Sequence, residues 1–186
     1  SKKTVKNADA EPVQNEVEFV VTVPPVVPAK RKFNETFPLR NYVFFNENSS
    51  EIPSRYVALN KNEASDFEES QLQDVDVENI SKRSERQLEA YYNILNILGD
   101  RMTKNANSEV LLIGSSAGNG AELGKSYAES IETYLVDVFG INSDRIETDG
   151  RSMPIIPSEH PGGTKELALL HEGDRRVDIV STNPDL

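Results

Sequence analysis

Gly114-Ser115-Ser116-Ala117-Gly118 spells G-x-S-x-G between an apolar run and a stretch with helical character. That is the setting in which a nucleophilic serine is raised on a strand-to-helix turn. Asp149, followed by His160 or His171, completes the hydrolase order Ser, Asp, His. Such a serine needs a base within hydrogen-bond reach and a third group to orient that base. No H-G-G-G-type oxyanion segment accompanies the motif, and both histidines lie in loop-like or surface-like sequence. The plainer reading is a tight turn, with glycines for backbone freedom and Ser115, Ser116 or Asn119 as caps. No catalytic residue is assigned and the chain is expected not to be an enzyme. A serine hydrolase using the GSSAG turn, with Ser116 as nucleophile, stays as a minor alternative.

Two other groups have the right types for binding. Residues 61–79 carry seven acidic residues against one base, and Asp74, Asp76 and Glu78 alternate within them. Alternating carboxylates suit a hard cation such as calcium. The Gly and terminal Glu of an EF-hand loop are missing, so a solvated acidic loop is the expectation. Arg175 and Arg176 offer two guanidinium forks for a ligand carboxylate, or for pairing with Glu172 or Asp178. Cysteine is absent, which excludes disulfides and thiolate metal sites. No metal site and no cofactor are expected.

The elements that must position these residues follow from composition and periodicity. The 186 residues suffice for one domain with appendages, and a hydrophobic share of 37% supports a modest core. A net charge of -11 with no basic, aromatic-interleaved stretch speaks against nucleic acid as a partner. No apolar run approaches bilayer length, so no transmembrane segment is expected in this piece. The chain opens at Ser1 without a visible signal peptide, as a processed or excised piece of a longer protein would.

Residues 1–38 are expected to be a linker, with one possible strand at 17–23 and a basic Lys30-Arg31-Lys32 beside a proline stretch. Asn41 to Phe45 suits a strand, and Asn46 to Ser50 has turn chemistry. A helix capped at Ser81 or Ser84 is expected to run to about Lys104, with Leu88, Tyr91, Tyr92, Leu95 and Leu98 on its apolar face. Val110 to Ile113 reads as a strand. Glu122 to Phe139 reads as a helix with Ala128, Ile131, Leu135 and Val138 on one face, closed by Gly140 and Ile141. Arg145 to Gly150 and Arg176 to Val180 read as strands, with a possible helical turn at Glu166 to His171 between them. Strands interleaved with helices suit an α+β layer, with helices on one face of a sheet.

Several blocks in this order resemble the OmpA-like domain family. Val43 to Ile52 is similar to its early V-x-F-(D/N)-x-x-S-x-x-(I/L) pattern. Arg145-Ile146-Glu147-Thr148-Asp149-Gly150, with Pro154, resembles the family's R-I-x-x-x-G block, and Asp174 to Ile179 resembles N-R-R-V-(E/D)-I. The resemblance spans residues 39–181, with an acidic insertion near 53–80 and a tail at 182–186. It implies a β-α-β-α-β-β sandwich of helices on a mixed four-stranded sheet. It also implies a periplasmic module, associated with the outer membrane, that grips peptidoglycan. Two gripping positions depart from the family. Ala117 stands where the family's Asp meets the ammonium of diaminopimelate, and Tyr127 stands where its Arg forks onto the carboxylate. Losing such a charge-assisted contact removes both energy and geometry. The resemblance therefore implies weak or lost peptidoglycan binding, or a role with envelope proteins. Ser115, Ser116, Asn119, Arg175 and Arg176 remain as ligand-facing candidates. An interaction scaffold without wall binding is the alternative. The sequence leaves the oligomeric state and the specific partner open.

Overall fold

The structure is a computed structural model that describes residues 33–34, 40–75, 82–158 and 167–186. The possible strand at 17–23 and the basic cluster at 30–32 lie outside them. The strands are β1 (Phe33–Asn34), β2 (Tyr42–Phe44), β3 (Asp74–Val75), β4 (Val110–Ser116), β5 (Ile146–Arg151) and β6 (Arg175–Val180). The helices are α1 (Lys61–Asp66), α2 (Glu69–Gln73), α3 (Arg83–Tyr92), α4 (Ile94–Lys104), α5 (Ala121–Phe139) and α6 (Leu167–Asp174). The architecture is α+β, built on a mixed four-stranded sheet in the order β2-β6-β4-β5. β4 and β5 run parallel, joined through α5, while β6 lies antiparallel to both β2 and β4. β1 and β3 form a separate two-stranded pair.

The core lies between this sheet and its helices. Val43, Phe45, Val110, Leu112, Ile146 and Val177 come from the strands and the residue after β2. Leu95, Leu98 and Met102 of α4, with Tyr127, Ala128, Ile131 and Leu135 of α5, complete it. Full burial of one such large apolar side chain stabilises by about 1.5–3 kcal/mol. α5 has the spacing expected of it: Ala128, Ile131 and Leu135 are buried and Val138 is half-buried at its edge. Gly140, at φ 67, takes the left-handed cap, and the Ile141 N–H reaches back to the Leu135 carbonyl at 3.3 Å.

α5 approaches the sheet very closely, through glycine on both sides. A Cβ on Gly114 would stand 1.8 Å from the Gly124 carbonyl oxygen, and one on Gly150 would stand 2.3 Å from the Ala121 oxygen. Gly114 is therefore fixed by helix-to-strand contact. The sequence pattern had placed it in a turn for backbone freedom.

Three other expectations change. The helix expected to run to Lys104 is two helices, parted at Asn93. Asn93 is buried at φ -94 and ψ 12, and its amide donates to the Glu89 carbonyl at 3.0 Å beside the backbone N–H at 3.1 Å. Neither expected serine caps α3: its N-cap is Lys82, Ser84 lies within the helix, and Ser81 is outside the described residues. Leu88, placed on the apolar face, is 49% exposed.

The acidic segment is structured over residues 61–75, where a loop was expected. Asn60 and Glu63 form a reciprocal capping box that starts α1. Arg101 Nε bonds Glu69 at 2.6 Å and the Asp100 carboxylate accepts from the Glu69 N–H at 3.1 Å, pinning α2 to α4. The insertion also seals the sheet. On the outer edge of β2, the Phe44 N–H donates to Tyr56 Oη at 2.9 Å, and Arg55 donates to the Phe44 carbonyl at 2.8 Å. From α3, Tyr91 Oη donates to the Tyr42 carbonyl at 3.1 Å. These side chains occupy groups that an incoming strand would otherwise use.

Candidate functional site

β4 continues through Ser116, so Gly114, Ser115 and Ser116 belong to the strand, and the turn is Ala117 to Gly120. Ala117 at φ 54, Gly118 at φ 95 and Gly120 at φ 97 carry its reversal. Ser116 is buried, and its hydroxyl donates to the Gly120 carbonyl at 2.7 Å. Asn119 donates from its amide to the Ser116 carbonyl at 3.2 Å. Both side chains stitch the turn. Neither caps α5, whose N-cap is Gly120 without a side-chain bond. Ser115 is fully buried and its hydroxyl has no hydrogen-bond partner.

The hydrolase residues sit apart in their bonding. Asp149 accepts from the Gly150 N–H at 2.9 Å and from Arg151 Nε at 3.1 Å, within its own strand. His171 is exposed on α6, and His160 lies outside the described residues. Among the described residues, no hydrogen bond links Ser116 to Asp149 or His171.

Ala117 and Tyr127 stand at the two positions where the resemblance implies gripping charges. Ala117 is a non-glycine residue in left-handed backbone, a conformation that Asp and Asn tolerate better. Tyr127 has no exposed surface, and its ring stacks on Phe45 with centroids 4.5 Å apart and planes 10° apart. Its hydroxyl is buried without a partner. Burial pushes its pKa up, against the opposing charge of Arg175. An aromatic stack thus occupies the place where the resemblance implies a ligand-facing cation.

The two arginines differ sharply. Arg176 is buried, with Nε on Asp178 at 2.8 Å, Nη1 on the Gly173 carbonyl at 2.9 Å and Nη2 on the Ile156 carbonyl at 2.8 Å. Its guanidinium also lies over the Tyr42 ring, 4.7 Å from the centroid. Every fork position is filled by the protein itself. Arg176 thus pairs with Asp178, one of the two acids weighed for that role, and ties the segment after β5 to β6. Arg175 is half-buried and forms no ion pair or side-chain hydrogen bond among the described residues, and its Nε is shut off from solvent.

Arg175 borders a cavity of about 550 Å³ with Phe44, Phe45, Arg55 and Leu169. Arg55 and the two phenylalanines were not read as site residues from the sequence. Arg55 sits in the insertion, and nothing in its local pattern shows that it folds back on β2. Among the described residues no cluster of His, Asp and Glu could hold a metal ion. Asp76 and Glu78 lie outside the described residues. No described helix is long and apolar enough to cross a membrane. No known protein-family description matches the chain, and neither does any curated protein.

Proposed function

We propose that this chain is a non-catalytic cell-envelope module of the OmpA-like kind, linking an outer-membrane-associated protein to peptidoglycan or to envelope partners. The observation that supports this reading is the strand order β2-β6-β4-β5, with β4 and β5 parallel and joined through α5, and with the resembling blocks at its strands. Val43 to Phe45 closes β2 and the residue after it, Arg145 to Gly150 leads into and forms β5, and Asp174 to Ile179 runs from the end of α6 through β6. Ala117 and the buried Tyr127 leave no charge pair for a diaminopimelate zwitterion. Any wall contact then runs through other residues, and Arg175, whose Nε has no hydrogen-bond partner, is a candidate.

The test is an NMR titration with soluble muropeptides and with free meso-diaminopimelate. The reading expects muropeptides to shift the amides of Ser116 to Asn119 and of Arg175, with little response to free diaminopimelate. No shift at millimolar muropeptide would overturn the wall link.

A second reading, a protein-interaction scaffold, is favoured by one observation. Ile155, Ile156 and Leu169 are 61%, 74% and 64% exposed, an unusual display of large aliphatic side chains.

A further inference from the structure

The cavity beside Arg175 has features of a binding site that the folded chain alone does not use. Arg175 Nε is removed from water and lacks any acceptor, a costly state for a charged donor. Tyr127, stacked on the Phe45 wall of the same cavity, carries a second buried donor without a partner. Arg55 reaches the cavity from the other side, bonded to the Phe44 carbonyl and, at 3.4 Å, to Asn46 Oδ1, with no carboxylate on it. Phe44, Phe45 and Leu169 make the remaining wall apolar, and Leu169 is 64% exposed.

Glu47 and Glu172 also border the cavity. Both are exposed and neither pairs with either arginine. Two exposed carboxylates disfavour a multiply charged anion such as a phosphate ester. They do suit a ligand that presents backbone N–H groups beside a single carboxylate.

We infer that this cavity binds the C-terminal carboxylate of a short peptide, with Arg175 as the fork onto the carboxylate and Phe44, Phe45 and Leu169 against the terminal side chain. An unpaired guanidinium takes a carboxylate in bidentate geometry, and the gain is largest where the cation is already desolvated. The inference shares Arg175 with the wall-linking reading and goes beyond it, since protein termini and wall stem peptides both end in such a group.

The experiment is a ¹H–¹⁵N titration of the 186-residue chain with N-acetyl-D-alanyl-D-alanine, N-acetyl-L-alanyl-L-alanine and the C-terminal amide of each. At least one acid is expected to shift the amides of Phe44 to Glu47, Leu169 and Arg175, and neither amide derivative should do so. Arg175→Gln should weaken that binding by about tenfold or more. Arg175→Lys keeps the charge without the fork and should fall between. Arg175 makes no internal side-chain bond, so both variants are expected to fold, which their spectra will show directly. A response to the D-acid alone identifies a wall stem as the source, and a response to the L-acid identifies a protein terminus. Equal response to acids and amides, undiminished binding in Arg175→Gln, or no shift from either acid would overturn the inference. Sedimentation with whole peptidoglycan sacculi tests the wall link separately, so either idea can fail without the other.

Discussion

A methyl group at position 114 has no room, because its Cβ would overlap the Gly124 carbonyl oxygen. Gly114→Ala should therefore destabilise the fold by about 3 kcal/mol, as severe overpacking of a tight contact does. Urea denaturation measures this, and an unchanged midpoint would contradict the contact. Position 117 behaves oppositely. Ala117 holds φ 54, so Ala117→Gly should raise stability by about 1 kcal/mol in the same assay. The family's Asp at that position would also be tolerated by the backbone. An Arg at 127 would not be comparable, since it would enter a site with no exposed surface against Phe45. The sequence made Gly140 and the Ala128, Ile131, Leu135 face legible, since both are local patterns of a helix. It could not show why Gly114 is glycine, because the reason sits ten residues away and appears only when α5 docks. The same holds for the arginines. Nothing local separates Arg175 from Arg176; alternation across β6 sends one into an ion-paired tie and the other toward the cavity.

At the scale of elements, Arg145 connects β5 to α4. It donates to the Met102, Asn105 and Ser108 carbonyls at 2.8–2.9 Å, joining the approach to β5 to the C-terminal end of α4. A guanidinium there satisfies carbonyls that the helix leaves open and complements the helix dipole. Arg145→Ala should cost about 2–3 kcal/mol and raise amide exchange in the last turn of α4 before it affects β2. Uniform exchange changes across the molecule would contradict this role. Arg145 belongs to a block that resembles the OmpA-like family, and here it has structural work apart from any ligand. The elements themselves were unevenly legible. β4 carries a continuous apolar run and α5 a helical apolar face, whereas β5 holds one apolar residue, Ile146. The split at Asn93 and the helices α1 and α2 were not visible, because buried Asn hydrogen bonding and docking onto Asp100 and Arg101 decide them. Sealing of the β2 edge by Tyr56 and Tyr91 likewise depends on contacts distant in sequence.

At the scale of the whole molecule, buried phenols tie stability to alkaline pH. Tyr91, Tyr127 and Tyr134 all have raised pKa values, chiefly through burial. The unfolded chain releases these protons near pH ~10, while the folded chain keeps them. Above that pH the folded state binds more protons than the unfolded one, so stability falls as pH rises and is fully present below it. Each such tyrosine contributes a slope of about 1.4 kcal/mol per pH unit across the window between its unfolded and folded pKa. Urea midpoints followed from neutral pH into the alkaline range should fall once tyrosine begins to ionise, and a flat midpoint would contradict the burial of these phenols. The fold as a whole was the most legible level, since the order of several weak blocks constrains topology more than any one motif does. The site was the least legible, because its cavity joins β2, the insertion, α6 and β6.

The proposed wall link is tested most directly by co-sedimentation of the chain with purified peptidoglycan sacculi, with and without excess free meso-diaminopimelate. The proposed link predicts that the chain sediments with sacculi and that free diaminopimelate fails to release it, since Ala117 and Tyr127 cannot grip that zwitterion. A chain that stays in the supernatant would contradict the wall link. Release by diaminopimelate would contradict the loss of the charge pair.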